Sequence, residues 1–116
     1  MPPSATSMST LEYHVLLSMA DGPQYGYAIK EAIEADSGGS LQPRAGTLYR
    51  VIARLISQGA VAEAEPTEED PPHPGLTRKY YGLTPSGREA LALQAGRLKH
   101  AVGLAEKRLG LAEGNR

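Results

Sequence analysis

The 116-residue sequence contains no cysteine, which removes disulfide scaffolds, thiolate metal sites, thiol catalysis and thiol redox sensing together. Phenylalanine and tryptophan are absent as well, so six tyrosines supply all the aromatic content. A tyrosine can bury its ring and still present a hydroxyl, which suits both core packing and phosphate contacts. No apolar run approaches the ~18 residues that a membrane-spanning helix needs, and a membrane-spanning role is excluded. The start, MPPSATSMST, lacks the basic residues and apolar core of a secretory signal, which makes the cytoplasm the expected location. Net charge is also scarce, at −1.

What is present fits one compact domain with one appended element: 41% of residues are hydrophobic and 22% charged. A chain of this size buries roughly 65% of its unfolded surface, so its stability depends on efficient packing or on a partner subunit. The few net charges are segregated. Residues 1–74 hold 4 basic and 10 acidic residues, whereas residues 75–116 hold 8 basic and 3 acidic. Within the first part, Ser37 to Ala62 contains Arg44, Arg50 and Arg54 and no acid. That stretch is a local basic island.

Ser9-Thr10-Leu11-Glu12 has the pattern of a capping box, which predicts a first helix carrying Leu11, Val15, Leu16 and Met19 and ending at Asp21-Gly22-Pro23. A second helix is expected from about Gln24 to Ala35, stopped by Ser37-Gly38-Gly39-Ser40. A third starts near Pro43 or Arg44 and ends at Ser57-Gln58-Gly59, with Leu48, Val51, Ile52, Leu55 and Ile56 as a wide apolar stripe. Two short strands follow, Val61 to Glu65 and Thr77 to Leu83, around an acidic, proline-rich connection that rules out a tight two-residue turn. In the second strand, Tyr80 and Tyr81 point to opposite faces, and parity with Leu83 turns Tyr81 inward. Thr84-Pro85 then opens a last helix of about 25 residues, a rod roughly 37 Å long. Along it Leu91, Ala95, Leu98, Val102, Ala105 and Leu109 are spaced 4, 3, 4, 3 and 4, a heptad seam. Gly96, Gly103 and Gly110 weaken this helix by ~1 kcal/mol each relative to alanine, so it needs a packing partner.

These elements divide the chain into a disordered leader at 1–8, a body at 9–84 with a loop at 66–76, a C-terminal dimerisation helix at 85–110 and a tail at 111–116. Met8 stands directly before the first helix signal and is an alternative start. The expected class is mainly α with a small β-hairpin, arranged as a winged helix-turn-helix, in which the third helix enters the DNA major groove and the hairpin lies along the backbone. Projected at 100° per residue, Gly46, Thr47, Arg50, Arg54 and Ser57 share one arc of about 100°, opposite Leu48, Ile52 and Leu55. Such an arc is also what a plain solvated face looks like. The lack of any acid in it, and the basic Arg78-Lys79 pair after the loop, favour a polyanion. Arginine suits bidentate contact with guanine, and small residues at the helix start let it approach phosphates. The candidate DNA-contacting set is Arg44, Gly46, Thr47, Tyr49, Arg50, Arg54 and Ser57 on the third helix, with Arg78, Lys79, Tyr25 and Tyr27 at the wing and the start of the second helix.

The runs Gly22-Pro23, Tyr25-Gly26-Tyr27-Ala28-Ile29, Gly46-Thr47-Leu48-Tyr49-Arg50, Leu55 with Gly59, and Lys79-Tyr80-Tyr81-Gly82-Leu83-Thr84-Pro85-Ser86-Gly87 occur in that order. In this the chain resembles the PadR-like family of bacterial winged-helix repressors over residues 10 to 109. The resemblance implies a homodimer whose C-terminal helices pack against the partner, a roughly palindromic operator in double-stranded DNA, and release by a small molecule or other signal. The sequence departs from many members in Tyr25, where a histidine commonly stands, in its acidic, proline-rich loop, and in its single short C-terminal helix, which reduces the room for an effector pocket.

No enzymatic constellation is present: there is no nucleophile elbow, no phosphate-binding glycine loop after a strand and no paired carboxylates on a buried scaffold. His14, His73 and His100 lack ligand partners at metal-binding spacing, and prolines break the acidic run from Glu63 to Asp70, so no metal or cofactor is expected. The alternative function is a dimeric winged-helix adaptor for protein or ligand that has lost productive DNA contact.

Overall fold

The computed structural model describes residues 8–65 and 78–111. The expected leader before Met8, the loop at 66–76 and the tail after Leu111 lie outside the described residues. Among the described residues, four helices and three short strands run in the order α1 (Thr10–Ser18), β1 (Gln24–Tyr25), α2 (Gly26–Asp36), α3 (Ala45–Ser57), β2 (Val61–Ala64), β3 (Tyr80–Leu83) and α4 (Pro85–Leu109).

The capping box forms as the sequence predicts. The Glu12 amide donates to Ser9 Oγ at 3.0 Å, and the Ser9 amide donates to Glu12 Oε1 at 2.8 Å. Val15, Leu16 and Met19 of this first segment, Ile29 and Ile33 of α2, and Leu48, Val51, Ile52 and Leu55 of α3 meet in one core. Val61, Tyr81 and Leu91 close it from the sheet and α4. The apolar stripe of α3 is therefore what orients its opposite face outward.

The sheet differs from the expected hairpin. It has three strands in the order β1-β3-β2, because Gln24 and Tyr25 pair antiparallel with Tyr81 and Tyr80 instead of opening the second helix. Two residues are too few to show an alternating pattern, and their pairing partner lies some 55 positions away. The other two strands are shorter than expected, and β2 pairs with β3 in the register Val61 with Leu83 through Ala64 with Tyr80. Tyr80 and Tyr81 do face opposite sides, yet both are buried: Tyr81 enters the core, while Tyr80 is covered by the Tyr25 ring at 5.6 Å between centroids.

Thr84 caps α4, accepting from the Gly87 amide at 3.0 Å, and Pro85 occupies its first turn. The Thr84 hydroxyl donates to the Gly59 carbonyl and its amide to the Ala60 carbonyl, so the end of the α3 segment holds the start of α4. Gly87 is required there: any Cβ would collide with the Ala60 carbonyl. One seam residue needs correction, since Leu91 is only 8% exposed and belongs to the core of its own chain. From Ala95 onward the seam leaves the body, and Leu98, Val102 and Leu109 are exposed. The projecting helix stretches the chain to 55 × 32 × 27 Å and its radius of gyration to 16.1 Å, against about 13 Å for a compact domain of this length.

Candidate nucleic-acid interface

Helix α3 presents Ala45, Gly46, Tyr49, Arg50, Ala53, Arg54 and Ser57 to the surface, with Thr47 half-buried at the edge of this face. Arg44 occupies the cap position with extended backbone and makes no side-chain cap, and no acid stands in the first turn. The amide end of the helix dipole is therefore free for an anion. Arg50 folds back over this end, donating from Nη2 to Thr47 Oγ1 at 3.3 Å in an exposed contact. A Cβ at Gly46 would lie in ordinary contact with Arg50 Nη1, at 3.8 Å, so the arginine rests against this turn of the helix.

Arg54 is in different company. α3 itself carries no acid, but the fold brings Glu12 of α1 to its edge, and Arg54 Nη1 donates to Glu12 Oε2 at 2.8 Å. The acid-free character read from the third helix alone therefore stops at Arg54. Glu12 was read in the sequence only as a helix cap. Its position on the i, i+3, i+4, i+7 row with Val15, Leu16 and Met19 is the signal that exposes it as a buried acid in need of a partner.

The second part of the site is a cleft of about 420 Å³ lined by Tyr25, Gly26, Tyr27, Tyr49, Arg78, Lys79 and Tyr81. It gathers the candidates at the start of the second helix, at the wing and at one position of α3. Helix α2 begins at its mouth with Tyr25 in the cap position, no side-chain cap and no acid in its first turn. The Arg78 guanidinium lies 3.9 Å from the Tyr25 ring centroid, a cation–π contact that holds the strand leading into β3 against β1. Lys79 sits 3.8 Å from Glu63, both well exposed, a pair of little strength. The Tyr49 hydroxyl lies directly over Gly26, where no Cβ fits. Burial pushes the Tyr81 phenol above its ordinary pKa, with Tyr49 and Glu63 adding to the effect, so it remains a protonated donor at neutral pH. Free helix amides, phenol hydroxyls and two cations suit phosphate oxygens.

Among the described residues, no group of three or more His, Asp or Glu side chains converges in a way that would hold a metal ion. His14 is instead a packed side chain whose Nδ1 is buried without a partner.

The model of the "Transcriptional regulator PadR-like family" matches residues 15–93, from the second half of α1 through the first third of α4. The chain belongs to the PadR-like family. Members of this family are transcription regulators and not enzymes. A PadR family transcriptional regulator from Eggerthella lenta is 31% identical and superposes with a TM-score of 0.63 over 89% of this chain and 84% of its own. PadR of Bacillus subtilis, solved in complex with operator DNA, shares the winged-helix fold at a TM-score of 0.61 and 22% identity, over 75% of this chain and 47% of its own. An uncharacterized 37.1 kDa protein in a transposon of Streptomyces fradiae is 46% identical over 81 residues, 70% of this chain and 21% of that protein. The present chain thus spans about a fifth of the length of that curated relative. The PadR-like assignment agrees with the motifs quoted above, and the structure gives two of them a reason: Gly26 and Tyr49 touch, and so do Gly87 and Ala60.

Proposed function

We propose that this PadR-like chain is a sequence-specific regulator of transcription that binds double-stranded DNA through α3 and the adjoining tyrosine-lined cleft. The observation that carries the reading is the position of Tyr49. It stands on the exposed face of α3 beside Arg50 and also lines the cleft with Arg78 and Lys79. A base-reading helix face and a phosphate seat thereby form one continuous surface, as a helix in the major groove beside a backbone strand requires. Arg44, Gly46, Thr47, Arg50, Arg54 and Ser57 face the groove in this reading, and Tyr25, Tyr27, Arg78 and Lys79 take backbone phosphates. The operator complex of the Bacillus subtilis relative supports the assignment.

The finer form of the proposal is a homodimer joined along α4 that represses from a roughly palindromic operator and is released by a small molecule or another signal. The exposed Leu98, Val102 and Leu109 support the dimer. The test is fluorescence anisotropy of the protein with a duplex enriched from a random-sequence library and with a shuffled version of it, at low and physiological salt. Preference for the enriched duplex at physiological salt is the expected result. Absence of binding to both at low salt would overturn DNA recognition and turn the assignment to an adaptor, for which the pairing of Arg54 and Lys79 with acids would be in keeping.

A further inference from the structure

Glu12 is an acid with 7% of its surface exposed, inside the face that α1 turns to the core. Its two oxygens do different work. Oε1 accepts from the Ser9 amide and closes the capping box, and Oε2 accepts from Arg54 Nη1 at 2.8 Å across 42 residues of sequence. A glutamine completes a capping box equally well, and a neutral amide costs less to bury than a carboxylate. The cap alone therefore does not explain a buried charge at this position. Its partner does.

Arg54 keeps 54% of its side chain exposed, and among the described residues it makes no other side-chain hydrogen bond. One corner of the guanidinium is held by the carboxylate while the rest of its planar donor fork faces outward from the α3 surface. The other described ion pairs do not link α3 to anything: Lys30–Glu34 lies within α2, and Lys79–Glu63 joins the two strands at the wing. An arginine free to swing offers its charge to any phosphate in reach and loses rotamer freedom when it settles on a base. One that is already held in place, and half neutralised, gives up that general attraction and keeps its directional donors.

We propose that Glu12 is a specificity-determining positioning residue that clamps Arg54 of α3, so that Arg54 discriminates a base pair rather than attracting DNA of any sequence. The inference rests on the DNA-binding reading above. The experiment uses the full chain, as wild type, Glu12→Gln, Arg54→Gln and the double variant. Each is measured by anisotropy on the duplex enriched by the wild type and on its shuffled counterpart, with thermal melts run alongside. Glu12→Gln keeps the capping box. It is expected to lower the ratio of enriched to shuffled affinity about tenfold, with affinity for the shuffled duplex held or raised, and to relax preference at a single base pair when the library is selected again. In the Arg54→Gln background the same change is expected to leave the ratio where it is.

An unchanged ratio for Glu12→Gln, or an equal fall in both backgrounds, would overturn the clamp while leaving DNA binding intact. A wild type that binds neither duplex at low salt would overturn the DNA reading itself, and the clamp with it. Should Glu12→Gln melt before it can be measured, Arg54→Lys decides. Lysine keeps the charge at an exposed site and loses the planar fork, so the ratio is expected to fall without loss on the shuffled duplex, and an unchanged ratio would overturn the proposal.

Discussion

Arg50 and Arg54 stand one turn apart on the same helix, but their surroundings differ enough to separate their effects. Arg50 touches only a threonine hydroxyl in an exposed contact, so Arg50→Ala removes a donor fork without orphaning any buried group. On the proposed interface it is expected to cost ~1–3 kcal/mol of binding to the enriched duplex and far less on a shuffled one, with no change in melting temperature. Equal loss on both duplexes would show that Arg50 contacts phosphate. On the same proposal Arg78 and Lys79 contact the DNA backbone, so alanine at either position should weaken binding to both duplexes alike. The slope of log affinity against log salt should fall by about 0.9 for each phosphate that is no longer neutralised. Arg78→Ala also removes the stack on Tyr25 and is expected to have the larger effect of the two. Spacing alone turns Arg50 and Arg54 to the outer face of α3, where both are exposed, because a helical projection needs nothing more, whereas Arg78 and Lys79 were read from their place after the loop. Spacing did not pair Arg54 with Glu12, since a contact across 42 positions follows from how α1 packs on α3 and from nothing local.

Among the elements, the four helices were legible from their punctuation: a capping box before α1 with glycine and proline after it, glycines after α2 and α3, and a threonine cap with proline opening α4; α2, which has no side-chain cap, starts two residues later than expected. β1 was not legible, being two residues long and defined only by its pairing with β3. The motif glycines have meaning at this scale too. Gly87 lets the first turn of α4 lie on the Ala60 carbonyl, a rigid backbone atom that cannot yield to a methyl group. Gly87→Ala should therefore force the helix off the body and destabilise the fold by ~1–3 kcal/mol, the usual range for overpacking, read as a lower melting temperature. Gly26→Ala meets a side chain instead, the Tyr49 hydroxyl, which can rotate away into the cleft. The expected outcome is a smaller loss of stability than at Gly87 together with weaker DNA binding, because the displaced ring fills the phosphate seat. A Gly26→Ala protein that binds DNA normally would separate Tyr49 from the interface.

For the whole molecule, the decisive feature is the length of α4 that stands clear of the body. Packing against the chain's own core ends near Leu91, and from Ala95 to Leu109 the helix runs with Leu98, Val102 and Leu109 uncovered. An isolated helix of this length is marginal in water even with good residues. Gly96 and Gly103 each subtract ~1 kcal/mol relative to alanine, and in the proposed dimer a second surface supplies the missing stability. The heptad spacing of Ala95, Leu98, Val102, Ala105 and Leu109 makes another copy of the same seam the natural one. Leu98→Asp with Val102→Asp tests this without touching the core, since both side chains are exposed in the single chain. In analytical ultracentrifugation the wild type is expected to sediment as a dimer and the double variant as a monomer. The variant should also lose helical circular dichroism from the outer part of α4 while the remaining fold still melts cooperatively. Its affinity for a palindromic duplex should drop steeply, because two linked recognition helices gain from each other's binding and one alone does not. A wild type that sediments as a monomer at micromolar concentration with α4 fully helical would show that this helix holds itself, and the dimeric operator geometry would fall with that result.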